Sequence, residues 1–237
     1  MTTYRYAILY HNYYSIEGID EIRNRIAALG QEPVLLLCSL PDKFAGQPLR
    51  QQEHERYVLA SNMGKDIGGK LILIRLLLTL WPDIPYVALL HDKRSYHKHS
   101  GAFEKENLFS ILDPAKLRQI DRGFEMDPQL GIACARGTLR NEYLGKGQFA
   151  TPNSPLLTKL AAKYALSTGD PRFVAGTMFW MRTSVLRDFF SANSPLDIRA
   201  TLEQGNILDH EQATTTHCWE RMLSWIATSG GYKIKEY

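Results

Sequence analysis

The sequence predicts an α/β protein, a mostly parallel sheet flanked by helices and followed by a helical C-terminal part. Three observations carry this. Short apolar runs that do not alternate, such as Tyr86-Val87-Ala88-Leu89-Leu90, suit strands covered on both faces. Between them lie stretches with apolar residues at helical spacing. The order strand, helix, strand, strand, helix, strand over roughly the first ninety residues is that of a doubly wound nucleotide-binding half.

Tyr6-Ala7-Ile8-Leu9-Tyr10 reads as the first strand and runs into His11-Asn12-Tyr13-Tyr14. Ile16, Ile19, Ile22, Ile26 and Leu29 recur at helical spacing, and Gly30 supplies the stop. Val34-Leu35-Leu36-Leu37-Cys38 is the second buried strand, 41–55 a polar loop, and 57–60 a short third strand. Next come Asn62-Met63-Gly64-Lys65-Asp66-Ile67-Gly68-Gly69, read as a loop before the helix that runs on from Lys70. Three glycines with an Asp among them let backbone N–H groups approach a ligand. After a break at Trp81-Pro82-Asp83, strand 86–90 ends on His91-Asp92-Lys93-Arg94-Ser95.

Beyond position 95 the pattern predicts helices over 103–112 and 114–124, the second with Pro114 in its first turn. A strand follows at 130–135, then a surface loop over 136–155 rich in glycine and without period. A helix over 156–166 leads to one apolar strand, 173–182, whose Gly176 implies close approach of a backbone or ligand. A helix over 184–190 comes next. His217, Trp219, Glu220, Arg221 and Trp225 share one long helical segment, and 232–237 is a last strand. The whole reads as a single domain over 1–237.

The chain has 237 residues, 44% apolar and 22% charged, with a net charge of +3. That is enough chain to bury about 70% of its unfolded surface without staples. The mild charge suits a phosphate-bearing ligand or an anionic membrane surface and excludes a dedicated nucleic-acid binder. Cys38, Cys134 and Cys218 are odd in number and widely spaced, which predicts reduced, buried thiols and a cytoplasmic setting. No signal peptide is visible at Met1-Thr2-Thr3-Tyr4-Arg5-Tyr6, and the most apolar segment, 71–81, is too short to span a bilayer.

Two stretches carry candidate chemistry. In the glycine loop, the amides with Asn62 or Asp66 suit a nucleoside or ribose, although Gly64, Gly68 and Gly69 match neither the phosphate-loop nor the dinucleotide spacing. The plain reading is a helix start with glycines for tight packing. At the end of strand 86–90, Asp92 stands among His91, Lys93 and Arg94. A metal-dependent sugar transferase wants two carboxylates at such a place. Here the cations would instead neutralise a departing diphosphate, and the plain reading is a solvated charged loop. His91, His97 and His99 read as a basic loop rather than a metal set. Asp209 and Glu211, with His217 third, are candidate general bases for an acceptor hydroxyl, against the plain reading of helix capping. Phe179, Trp180, Trp219 and Trp225 read as core.

Taken in order, these motifs resemble the rhamnan synthesis protein F family. The residues concerned are His11-Asn12-Tyr13-Tyr14, the run from Asn62 to Gly68, His91-Asp92-Lys93-Arg94-Ser95, Ala175-Gly176-Thr177-Met178-Phe179-Trp180 and His217-Cys218-Trp219-Glu220-Arg221. Asp92 departs from the family's Thr and Arg94 from its Lys. The resemblance implies a GT-A-like, Rossmann-like fold and a rhamnosyltransferase-like enzyme of bacterial surface polysaccharide assembly. It implies a nucleotide-sugar donor such as dTDP-L-rhamnose, a glycan or lipid-linked acceptor, and work at the inner face of the cytoplasmic membrane. No cofactor is required by these motifs, with Mg²⁺ or Mn²⁺ the ion such an enzyme would use. The donor half is then 1–95, with His11, Asn62, Gly64, Asp66 and Gly68 lining the donor site and His91, Asp92, Lys93, Arg94 and Ser95 at the diphosphate. The acceptor half is 96–237, with Gly176, Thr177, Met178 and Trp180 on the acceptor side. A non-catalytic carbohydrate-binding or scaffold subunit is the alternative.

Overall fold

The computed structural model describes residues 3–30, 33–93, 101–207 and 212–237. The first half runs β1 (Tyr6–His11), α1 (Glu17–Ala28), β2 (Val34–Pro41), β3 (Glu55–Ala60), α2 (Lys65–Leu80) and β4 (Tyr86–His91). After β4 come α3 (Gly101–Phe109), α4 (Pro114–Met126), β5 (Leu130–Cys134), β6 (Leu139–Asn141), α5 (Ser154–Lys163) and β7 (Arg172–Val174). The chain ends through β8 (Phe179–Arg182), α6 (Thr183–Ala192), α7 (Pro195–Arg199), α8 (Thr215–Ser229) and β9 (Lys233–Glu236).

Seven strands form one sheet in the order β3-β2-β1-β4-β8-β5-β9. The pairs β1–β2, β2–β3, β1–β4 and β5–β9 are parallel, and β8 runs antiparallel to both β4 and β5. This is the mostly parallel, Rossmann-like sheet that the non-alternating runs predict. Both faces are covered, which is why the runs need not alternate. Ala7, Leu9, Val87 and Leu89 face the layer holding α2, α6 and α8, while Ile8, Tyr10, Ala88 and Leu90 face that of α1 and α4. None of the described helices is long and apolar enough to cross a membrane. The three cysteines are buried, and none of them forms a disulfide among the described residues.

Three expectations are corrected. The glycine stretch is not all loop, because α2 begins at Lys65 and takes Gly68 and Gly69 into its first turns. A Cβ on Gly68 would overlap the Met63 carbonyl oxygen, and one on Gly69 would overlap the His11 ring and lie 2.7 Å from Ser39 Oγ. These glycines bring helix and sheet together instead of opening a backbone to a ligand. The predicted strand 173–182 is broken between β7 and β8 by a one-turn 3-10 helix, Ala175–Thr177, in which Gly176 has φ 76°. The predicted loop 136–155 contains β6, which pairs antiparallel with β7.

Candidate functional site

The carboxyl ends of β1 and β4 lie side by side, with His11 and His91 partners in register. Here the strand order, having moved outward from β1 to β3, returns to β4. Open α/β sheets bind ligands in such a crevice. It holds a pocket of about 130 Å³, lined by His11, Tyr13 and Tyr14 after β1, by Asn62, Lys65 and Asp66 around the start of α2, by His91, Asp92 and Lys93, and by Asn206. The two stretches singled out in the sequence therefore meet in one place.

On this wall, His11 Nε2 and Asn62 Oδ1 are buried without a hydrogen-bond partner among the described residues. His11 is 5% exposed; its Nδ1 lies 2.9 Å from Ser39 Oγ, and its Nε2 makes no hydrogen bond. Burial lowers the His11 pKa to about 4, so the ring is neutral and Nε2 takes whichever role Nδ1 leaves to it. Asn62 Oδ1 is likewise buried without a partner, while its Nδ2 donates to Tyr13 Oη (3.3 Å) and Asn206 Oδ1 (3.2 Å). Buried polar atoms are nearly always hydrogen-bonded, so these two mark where a ligand's polar groups fit.

Cations and a helix start complete the pocket. Among the described residues no side chain caps α2. Its first-turn N–H groups and the positive end of its dipole therefore favour an anion beside Lys65. Lys43 Nζ lies 4.2 Å from the Tyr13 ring centre. Lys93 pairs with Glu104 at 2.9 Å on the exposed side. Asp92 ties the loops together, its Oδ2 accepting from Tyr14 N at 2.6 Å.

Behind the pocket lies Lys70, whose side chain is fully buried. Its Nζ donates to Asp66 Oδ2 (2.8 Å), Thr177 O (3.0 Å) and Thr177 Oγ1 (2.5 Å), and lies 3.0 Å from His91 Nδ1. The Thr177 hydroxyl donates on to Asp66 Oδ2 at 3.0 Å. An ammonium has three N–H donors and no acceptor, so the two Thr177 oxygens share one hydrogen, His91 Nδ1 accepts another, and the ring proton sits on Nε2. Burial, with Lys70 beside it, lowers the His91 pKa to about 3 and keeps the ring neutral. Burial alone would raise the Asp66 pKa; Lys70 overrides it and holds the carboxyl well below the usual range. Burial lowers Lys70, and Asp66 draws it back up.

A second chamber of about 200 Å³ shares Lys65, Asp66 and His91 with the first and adds Gly176, Thr177, His217 and Glu220. The Asp66–Lys70–His91–Thr177 network is thus a partition between two cavities. Strained backbone flanks it on both sides: Lys65 has φ 52° and Thr177 φ 49°. A β-branched residue at positive φ is an outlier, and such outliers concentrate at functional sites.

The site residues predicted from sequence fall into three groups. His11, Asn62, Asp66, His91, Asp92 and Lys93 line the first pocket, and Gly176, Thr177 and His217 the second. Arg94, Ser95, His97, His99, Asp209 and Glu211 lie outside the described residues. Gly64, Gly68, Met178 and Trp180 do other work. Gly64 takes φ 74° against Leu202, and Gly68 packs on Met63. Met178 and Trp180 are 0% exposed in the core, out of reach of any acceptor, and Trp180 Nε1 donates to Ile111 O at 3.0 Å. Asp66 lines the first pocket with its Oδ2 held by Lys70 and Thr177. Sequence reasoning missed Lys70. The available signal was one cation in an apolar helix, four residues after an Asp.

The described residues do not fit a divalent ion. No three of their His, Cys, Asp and Glu side chains gather as a ligand set, and Asp66 and Asp92 each spend an oxygen on protein donors.

Fold and site together define a Rossmann-like α/β protein with a partly cationic ligand pocket at the carboxyl ends of its parallel strands. Over 176 residues the chain is 29% identical to "Uncharacterized protein WxcX" from each of two strains of Xanthomonas campestris pv. campestris. The match covers 73% of this chain and 24% of the relative, so the chain spans about a quarter of that protein. No family model and no solved structure matches the chain.

Proposed function

We propose that the protein is a glycosyltransferase moving a sugar from a nucleotide-sugar donor to a bacterial surface polysaccharide or lipid-linked glycan, L-rhamnose from dTDP-L-rhamnose being the donor the family resemblance suggests. One observation carries the reading: the pocket at the ends of β1 and β4 pairs unpartnered buried polar atoms, His11 Nε2 and Asn62 Oδ1, with Lys65, Lys93 and an uncapped helix start. Fixed polar atoms suit a nucleoside, while cations and a helix N-terminus suit its diphosphate.

In the reaction the acceptor hydroxyl oxygen bonds to the anomeric carbon as the bond from that carbon to the diphosphate oxygen breaks. The electron pair leaves on the diphosphate, where the lysines neutralise it and the neutral His91 ring donates a hydrogen bond from Nε2–H. The hydroxyl proton passes to a base, for which Asp209, Glu211 and His217 are the candidates. Work at the cytoplasmic membrane face, by peripheral association, belongs to the same proposal.

Thermal melting with dTDP, UDP and GDP, each with and without Mn²⁺, tests it, alongside nucleotide release from the matching sugar nucleotides. At a hundredfold excess over Kd, a true ligand adds about 2.7 kcal/mol. At about 2–4 °C per kcal/mol for a chain of this size, that is a rise of roughly 5–11 °C. The rise should vanish in His11→Ala. No rise with any nucleotide sinks the reading. Sugar-nucleotide binding without turnover assigns a carbohydrate-binding or scaffold subunit instead.

A further inference from the structure

The Gly176–Thr177 turn is held from two sides. Lys70 grips Thr177 through its carbonyl and hydroxyl, and Glu220 Oε1 accepts the Gly176 N–H at 2.8 Å. Glu220 Oε2 accepts from Arg221 Nη1 at 2.7 Å, and Arg221 Nε donates to Glu142 Oε2 at 3.0 Å. Glu142 is 1% exposed, and Glu220 keeps 23% of its side chain open.

Among these three side chains one guanidinium serves two carboxylates, and the surplus negative charge falls at Glu220 on the wall of the second chamber. Such a wall repels phosphate and accepts hydrogen bonds from hydroxyl groups. Lys65 and Asp66 lie on both walls, so the difference across the partition is Lys93 beside Asp92 in the first pocket against Glu220 in the second. Each carboxylate oxygen can take more than one hydrogen bond, so Glu220 retains acceptor capacity beyond its two protein donors.

We propose that the second chamber binds the hydroxyl-bearing end of an uncharged sugar, with Glu220 accepting from one of its hydroxyls and the Gly176–Thr177 turn fixing that sugar's distance from the donor pocket. This rests on the glycosyl-transfer reading above and assigns its acceptor subsite. The chemistry that would recognise the ligand is a neutral polyol, and an anionic sugar end is disfavoured at Glu220.

The test uses the whole chain with methyl α-L-rhamnoside, methyl α-D-glucoside and methyl β-D-galactoside as probes. Nucleotide release from the preferred donor is measured against glycoside concentration in wild type, Glu220→Gln and Glu220→Asp. At least one glycoside should stimulate wild-type release to saturation. E220Q should raise its KM about tenfold, the size expected for losing a charge-assisted hydrogen bond, while the melting rise caused by the nucleoside diphosphate stays at wild-type size. E220D keeps the charge and should recover part of the affinity. A purely structural role would lower the melting temperature and the nucleotide response of E220Q together, and that result overturns the proposal. So does an unchanged KM in E220Q, and so does a wild-type release that responds to none of the three glycosides. If E220Q does not fold, E220D and the wild-type response decide. Absence of any wild-type nucleotide response is the failure of the donor reading, separate from these.

Discussion

Mild acid should loosen this protein by an amount set by two histidines. His11 and His91 are held neutral first of all by burial, with pKa values of about 4 and about 3 against an ordinary 6.5. A histidine pKa lowered on folding contributes stability that is present above 6.5 and is lost as pH falls toward the folded value. The unfolded chain takes up protons that the folded one refuses. Between pH 7.5 and 5.5 each ring therefore withdraws about 1.4 kcal/mol, or about 3 kcal/mol for both. For a chain of this length that corresponds to a fall in Tm of roughly 6–12 °C. The window lies above the range in which Asp66 and Glu203, both shifted downward, begin to bind protons. Thermal melting across five or six pH values measures the slope. In the double variant His11→Asn with His91→Asn the rings are gone, while an amide oxygen near each Nδ1 position preserves an acceptor for Lys70. Its melting curve should be flatter by those 3 kcal/mol. A wild-type Tm that is level across the window, or a double variant with the wild-type slope, would refute the burial argument.

Three further outcomes follow from the same geometry. Lys70→Met should cost about 3 kcal/mol at pH 7, the low end for a broken buried pair because Asp66 keeps 23% of its side chain exposed. Urea unfolding should find that deficit smaller at pH 5, where the stranded carboxyl is more easily protonated, and equal deficits would contradict it. Gly69→Ala drives a Cβ into the His11 ring and against Ser39 Oγ, so it should lose about 1–3 kcal/mol and weaken the nucleotide response. Among the described residues, Lys93→Ala breaks an exposed pair with Glu104, and it should stay within about 0.5 kcal/mol of wild type in urea. Its nucleotide affinity should nevertheless drop about tenfold in a titration, and an unchanged affinity would remove Lys93 from the diphosphate.

Much of the sheet was legible because burial on both faces leaves a local mark. Strands 6–10, 34–38 and 86–90 are apolar at every position, and each extends by one to three residues in the structure to His11, Pro41 and His91. The break within 173–182 left no such mark. Apart from Thr177, the residues on either side of Gly176 are as apolar as those of a continuous strand, and the kink is held from afar by Lys70 and Glu220. The glycines of α2 were misread for a related reason. Their meaning lies in the distance to Met63, His11 and Ser39, which sequence spacing does not encode. The pairing of the two charged stretches was readable because strand ends of a parallel sheet gather on one edge. The second chamber draws on residues over 140 positions apart and required the fold.

The network around Lys70 is poorly explained as a source of stability. Its neighbours along α2, among them Leu71, Leu73, Ile74 and Leu77, are 0% exposed, and an apolar side chain would pack there as well. Replacing a buried ion pair by apolar residues is often neutral or stabilising. What an apolar residue cannot do is bind three segments at once. Lys70 Nζ reaches the start of α2 at Asp66, the end of β4 at His91 and the turn before β8 at Thr177. Two of these lie at or next to backbone held at positive φ, Lys65 and Thr177, and each such residue costs about 1–3 kcal/mol that the surrounding bonds must offset. Packing alone would let both turns relax toward ordinary dihedrals and would move Asp66 and Thr177 apart. The ammonium therefore sets the separation of the two cavities, and a substitution that restored stability at position 70 without restoring charge would leave a well-folded protein whose pockets no longer hold that spacing.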